Sequence, residues 1–347
     1  MRHLSFVERR AGAFLVLLFA ATAVVEAQAP SGGATQKGGA KAWVGPRTAG
    51  GHPDLQGIWT NATLTPFERS RELAGKEFFT EAEAAQFEQR MLEASNRDRR
   101  GATPEADVNQ AHNEAWFDRG TKIFPTRRTS IVIDPPDGRV PPLTPQAERA
   151  AAARAVAQDG LPSGPEDMSL AVRCILWQTA GPPMIPVPLY NNYYQIVQTA
   201  ESVAINVEMI HDVRIIALNR RPHLNRNIRL WMGDSTGYWE GDTLVVDTTN
   251  FTDKTHFPRY LHDGKVVDAG SDQNLHLIER FTRTGPDTIL YRFTVDDPTA
   301  FTKPWTGEII MAKARGPLYE YACHEGNYSM VNMLRAARVA ERAGQSK

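Results

Sequence analysis

Between positions 208 and 214 the chain brings together two carboxyl groups, an imidazole and a guanidinium: Glu208, His211, Asp212 and Arg214. An imidazole beside a carboxylate can act as a general acid or base, because neighbouring charge moves its proton affinity across neutrality. A guanidinium adds an anion or oxyanion partner. The same four residues also suit a plain hairpin corner, with Asp212 capping the turn and Arg214 on a solvated face. Ile210 and Val213 bracket the His-Asp pair and favour a partly buried imidazole. A second cluster follows late in the chain: His276, Glu279, Arg292, Glu320 and His324. On an extended strand His276 and Glu279 point to opposite faces, so only one of them looks into a closed sheet, whereas Glu320 and His324 share a face. The expected catalytic set is therefore His211, Asp212 and Arg214, with Glu320 and His324 as the opposite wall and His276 as a further candidate. Tyr193, Tyr194, Trp239 and Tyr321 belong to an excess of aromatic residues suited to an apolar or aromatic ligand.

Other chemistries find less support. A zinc site needs three or four converging donors, and the spaced signatures that supply them are absent. His211, Asp212, His276 and His324 are the ligands a metal would have to use, and the reading assigns neither metal nor cofactor. Ser235 in Gly233-Asp234-Ser235-Thr236-Gly237 has the spacing of a nucleophile elbow but leads into a strand, so residues 234–237 are read as a turn. Cys174 and Cys323 are the only thiols. In an exported chain they are expected to form a disulfide. The rival reading makes Cys323 a nucleophile beside His324, against which adjacent strand residues point apart.

The elements that must position these groups read as follows. Residues 54–60 form a short strand after Pro53. Helical spacing runs from Glu77 to Arg97, with Thr80 and Glu83 as a capping box. Residues 129–133 and 139–140 flank a Pro/Asp/Gly turn, and an Ala-rich helix spans 147–157. From Tyr190 onward, short β-branched and aromatic runs alternate with turn residues. Strands are expected at 193–199, 203–209, 213–218, 237–239, 243–249, 275–283, 288–295, 308–314 and 318–323. Closely connected strands without intervening helices predict a mainly β fold: an antiparallel up-and-down meander closed into a barrel, because closure removes sticky edges. A β-sandwich is the alternative. A C-terminal helix is expected over 329–343.

Arg2, Arg9 and Arg10 precede the apolar run 11–25 and the small-residue site Ala27-Gln28-Ala29, the order of a signal peptide at 1–29. A Gly-rich leader follows at 30–51, then a single domain at 52–345, with loop and helix wrapping at 52–170 and the barrel core at 190–325. The chain carries 39 Lys+Arg and 40 Asp+Glu; removing the expected signal peptide leaves 36 against 38, a net charge near −2. That balance gives no electrostatic reason to bind nucleic acid or an anionic membrane. Stable membrane insertion is not expected, and the location is periplasmic or secreted.

The segments Tyr190–Ile196, His211–Arg214, Gly233–Phe251 and Tyr319–Tyr328 resemble a family of exported bacterial proteins of unassigned function, over roughly residues 54–332. That resemblance brings no known reaction. Gly57-Ile58-Trp59 and the Trp239–Leu244 strand are more loosely similar to calycin (lipocalin-like) barrels, which implies fold alone. The resulting expectation is a cofactor-independent enzyme, a lyase, isomerase or hydrolase, moving protons on a small apolar or aromatic molecule. The other class is a non-catalytic carrier of such a ligand. Sequence does not fix the oligomeric state.

Overall fold

Strand alternation is strict where one face must be buried: Val203, Ile205 and Val207, then Leu277, Glu279 and Phe281, then Ile289, Tyr291, Phe293 and Val295 all turn inward. A computed structural model describes residues 44–344 except 100, 102, 110–112, 178–179 and 263–264; for 108–109, 158–159, 258–262 and 265–269 the backbone alone is described. The expected signal peptide and most of the leader lie outside the described residues.

Twelve strands are present among them: β1 (Gly57–Thr60), β2 (Val132–Asp134), β3 (Tyr193–Gln198), β4 (Ser202–Val207), β5 (Val213–Ala217), β6 (Asp234–Glu240), β7 (Thr243–Thr249), β8 (Phe257–His262), β9 (Lys265–Ser271), β10 (His276–Gly285), β11 (Thr288–Asp296) and β12 (Trp305–Lys313). The sheet order β1-β3-β4-β5-β6-β7-β10-β11-β12 closes on itself through β1–β12, and β2 adds one strand beside β12. The fold is thus a closed, mainly β, nine-stranded barrel. Its first strand comes from the segment expected only to wrap it: β1 lies between β3 and β12. The free side of β12 is taken by β2 at its start and by β1 at its end, leaving no edge there for a further strand. The expected strand over 318–323 accordingly does not form. Ala314 makes the last bond, its N–H to Ile58 O, and residues 315–327 run on as an irregular strap.

Two further expectations change. β5 and β6 are parallel, with Ala217 opposite Thr236, so the barrel is mixed and not wholly antiparallel. The reason is the long connection 218–233, which carries the chain back before β6 begins; parallel neighbours require such a crossover. Residues 234–237 are the first half of β6 instead of a turn, since Asp234 pairs with Thr249 and its side chain holds the crossover. β8 and β9, unforeseen, form a separate two-stranded sheet.

Large side chains are buried in the barrel interior. Phe281, Tyr291, Phe293 and Trp305 form a continuous aromatic file with ring centroids 4.8, 5.6 and 5.7 Å apart in succession. Gly307 is required beside it, because a β-carbon there would meet the Phe293 ring at 2.3 Å. Trp59 lies under the Arg283 guanidinium at 5.5 Å and donates its indole N–H to Leu55 O. Among the described residues four α-helices lie outside the barrel: α1 (Glu81–Ser95), capped by the expected Thr80–Glu83 box, α2 (Pro104–Asn109), α3 (Pro145–Asp159) and α4 (Tyr328–Arg342). Cys174 and Cys323 are bonded, with α-carbons 5.7 Å apart, so the strap is tied down before α4.

Candidate functional site

The turn between β4 and β5 departs from ordinary hairpin geometry. Ile210 and His211 are consecutive residues in the left-handed region, at φ 66° and 53°. For a β-branched residue this is strained, by roughly 1–3 kcal/mol. Ile210 is held there by burial in the core, while Val207 N–H bonds Asp212 O across the corner at 2.8 Å. One result corrects the sequence expectation: with Ile210 taking the inward position, His211 is exposed. Its Nδ1 lies 2.9 Å from the carbonyl oxygen of Tyr321 in the strap. A carbonyl only accepts, so Nδ1 is the donor in this contact. The His324 ring packs edge-on against it at 5.5 Å.

The corner turns Glu208 inward. Its backbone N–H bonds Tyr193 O at 3.0 Å, its side chain is 2 % exposed, and Oε1 accepts the Tyr319 N–H at 3.0 Å. Oε2 is buried without a partner. Burial raises the Glu208 pKa, opposed by that N–H and by the Asn191 side chain. Asp212 is also raised by burial, against the nearby His211.

A second carboxyl group comes from the wrapping segment. Asp118 is clamped by backbone, its N–H to Leu189 O at 2.8 Å and its carbonyl accepting from Asn192 Nδ2 at 2.9 Å. Asn192 is a fully buried hub: Oδ1 accepts the Val187 N–H at 2.7 Å, and its carbonyl accepts the Asn61 N–H that follows β1. Burial pushes the Asp118 carboxyl up to about 6; the Asn192 backbone N–H opposes this, the Glu208 charge adds to it, and a bond from Tyr193 opposes it. Tyr193, on the outer face of β3, is itself raised by burial and by the charges of Asp118 and Glu208. Asp118 Oδ2, like Glu208 Oε2, is buried without a partner.

The remaining expected site residues lie elsewhere. Arg214 and Tyr194 point into the barrel. Arg214, 4 % exposed, makes a bidentate ion pair with Glu279, which is 0 % exposed. Tyr291 donates to Glu279 Oε1 at 2.8 Å and accepts from Met184 N–H at 3.1 Å, and Tyr194 OH accepts from Asn61 Nδ2 at 3.3 Å. Burial opposes the arginine's charge, but Glu279 outweighs it and raises the guanidinium pKa. Arg214 is therefore committed to Glu279. His276 lies on the outer wall, with Nε2 3.0 Å from Asp247 Oδ1; the same oxygen meets His223 Nε2 at 3.1 Å, and His223 Nδ1 meets Asp234 Oδ2 at 3.2 Å. Asp247 would be raised by burial but is lowered by bonds from His276 and His223. Asp234, which burial would also raise, is held at about 2 by Arg221 and the Leu224 N–H.

Glu320 and His324 are exposed on the strap, where the missing strand removes their shared face. Tyr321 is half-buried, and Trp239 stacks on His52 at 4.7 Å. Ser235 is buried with its hydroxyl hydrogen-bonded to that of Thr248, and no cysteine is free among the described residues. Among those residues no group of three or more His, Cys, Asp or Glu is arranged to hold a metal ion. No family model matches the chain, nor does any curated protein or solved structure.

Proposed function

We propose that this chain is an exported, cofactor-independent enzyme that moves protons on a small organic molecule. Asp118 and Glu208 form the reacting pair, Tyr193 orients Asp118, and His211 exchanges protons with solvent at the rim. The observation that supports the reading is a carboxyl oxygen buried without a partner on each of two residues, Asp118 and Glu208, which lie within electrostatic reach of each other, Glu208 directly preceding the strained corner. Environments that raise carboxyl pKa values bring them near working pH, where a group can give and accept protons. Asp118, at about 6, is mostly ionised at neutral pH and suits the base; Glu208, deeply buried, suits the acid. Strain retained in a backbone corner also points to function. The aromatic file and the Arg214–Glu279 pair occupy the interior that a carrier would use for its ligand, which favours catalysis over carriage. The disulfide supports export.

Isotope labelling tests this without knowledge of the substrate. The protein is incubated with a pooled small-molecule extract in D2O and, separately, in H2 18O, then compared with Glu208→Gln by mass spectrometry. Proton abstraction predicts deuterium gain, or loss of a neutral fragment, in a few compounds; hydrolysis predicts 18O gain. In each case Glu208→Gln should abolish the change. No difference between the two proteins in either solvent would reject the reading.

A further inference from the structure

The crossover from β5 to β6 is fastened to the barrel wall by an imidazole with a carboxylate on either side. His223 Nδ1 lies 3.2 Å from Asp234 Oδ2 on β6, and its Nε2 lies 3.1 Å from Asp247 Oδ1 on β7. A carboxylate only accepts, so the ring makes both bonds only when both nitrogens carry protons. Asp234 and Asp247 have pKa values below the usual range and stay ionised where an imidazole titrates. The two contacts are not equivalent. On the crossover side Asp234 is also held by Arg221, at 3.0 Å, and by the Leu224 N–H, at 2.8 Å. On the barrel side Asp247 has His276 of β10 as its other donor, with Asp296 of β11 in electrostatic reach of that second ring. Among the described residues, only His223 bonds the crossover to β7. The clasp sits at a weak point of the wall. Among those residues β5 and β6 are joined by a single residue pair, Ala217 with Thr236, the thinnest joint in the closed sheet. Thr236 pairs on its other side with Asp247, so the clasp spans β6 beside the residue that makes the joint.

We propose that His223 is a proton-dependent clasp: doubly protonated, it holds the crossover to β6 and β7 and keeps the β5–β6 joint closed, and with one proton it releases β7 and loosens the joint. On losing a proton the ring keeps its Nδ1–H on Asp234, where Arg221 and the Leu224 N–H already fix the crossover. It then turns a bare Nε2 lone pair toward the Asp247 oxygen, and two acceptors repel. His276 remains as the donor to Asp247. Just before the joint, Arg214 and Ile216 face the interior, so loosening opens the wall beside the Arg214–Glu279 ion pair. The second proton is present only in acid, so the joint is firm there and loosens as pH rises. This inference uses none of Asp118, Glu208 and Tyr193 and stands apart from the catalytic reading.

Amide hydrogen exchange on the whole mature protein, from about pH 5.5 to about pH 8.5 and corrected for the intrinsic rate, tests this. Peptides from the β10–β11 hairpin serve as the internal reference, which removes any change in global stability. Relative to them, peptides from β5, the crossover and β6 should lose about tenfold or more of their protection across that interval, the scale of one charge-assisted hydrogen bond. His223→Gln should be less protected than the parent at the acid end and equal to it at the alkaline end. His276→Gln leaves both His223 contacts in place and should retain the fall. Nitrogen NMR of the His223 ring in the unaltered protein reports its charge directly, and its titration should coincide with the loss of protection. If His223→Gln does not fold, that titration decides. A singly protonated His223 ring at the acid end, protection that does not change with pH, or an undiminished fall in folded His223→Gln would overturn the inference.

Discussion

Replacing Asp118 by asparagine should make the protein more stable at neutral pH and less able to function. The carboxyl group has an ordinary value of 3.8 and is pushed up to about 6 in the folded chain, first by burial and then by the Glu208 charge. In the interval between those values the folded protein keeps a proton that the unfolded chain has already released. Folding stability therefore falls as pH rises from about 4 to about 6 and stays reduced above that. At ~1.4 kcal/mol per pH unit the penalty approaches ~3 kcal/mol, an upper bound for a partly buried group. Asparagine removes the charge while its carbonyl can still accept the Asn192 N–H, and its amide can donate to the Tyr193 hydroxyl. Urea unfolding should show Asp118→Asn gaining about 1–3 kcal/mol over the parent at pH 8, with the gain vanishing near pH 4. A gain that does not depend on pH, or a variant weaker than the parent at pH 8, would refute the argument. Stabilisation accompanied by loss of turnover is the usual mark of a group retained for chemistry at the expense of the fold.

Arg214→Met strands Glu279 in the barrel and should cost roughly 3–5 kcal/mol by urea unfolding, much of it recovered in the double variant with Glu279→Leu; a loss below about 1 kcal/mol would mean the pair does not organise the interior. Serine at both Cys174 and Cys323 opens a loop spanning 149 residues, and should lower stability by up to about 5 kcal/mol in the chain-entropy model; unchanged melting would show that the strap holds itself. The His276 imidazole, raised by the bond to Asp247 against a smaller effect of burial, should titrate above 6.5 by NMR and move back toward it in Asp247→Asn. Because its folded value is raised, its contribution is complete below 6.5 and is lost as pH rises through the folded-state midpoint, so the two proteins should converge in stability at alkaline pH. At 44 % side-chain exposure the difference will be small.

Much of the barrel was legible because period-two alternation is a local signal. Val203, Ile205 and Val207 announce an inward face without help from the rest of the chain, and Thr80 with Glu83 announces a helix start in the same way. Closure was harder to read, because it depends on β1 pairing with a strand some 250 residues away. The parallel β5–β6 pair was readable in principle. No two-residue turn separates Leu218 from Asp234, and a connection of that length suits a crossover. Asp234-Ser235-Thr236-Gly237 misleads because its residues are common in turns, whereas here Asp234 is buried as the anchor of the crossover and Gly237 allows β6 to approach Ile216 at 2.8 Å from its virtual β-carbon.

The site was legible in part, and the reason lies in what alternation can and cannot tell. Arg214 with Ile216, and Glu279 between Leu277 and Phe281, each place a charge on the apolar face of a strand, and two such charges of opposite sign should seek each other inside a closed sheet. That signal was present and could have removed Arg214 from the catalytic set. Glu208 lay within the recognised cluster, but its importance depends on the left-handed pair that follows it, and nothing in the side chains of Ile210 and His211 foretells such a backbone. Were the corner an ordinary turn, alternation would allow His211 to lie partly buried. Because Ile210 takes the core instead, the imidazole is displaced to the rim and the carboxyl group is drawn in. Asp118 had no local signal, since it stands in an irregular segment that is tied to the region before β3 by Asn192 and Leu189, far away in sequence. On the proposed reading, chemistry would depend on carboxyl groups from both the barrel and its wrapping, Glu208 and Asp118, whose pKa values burial raises.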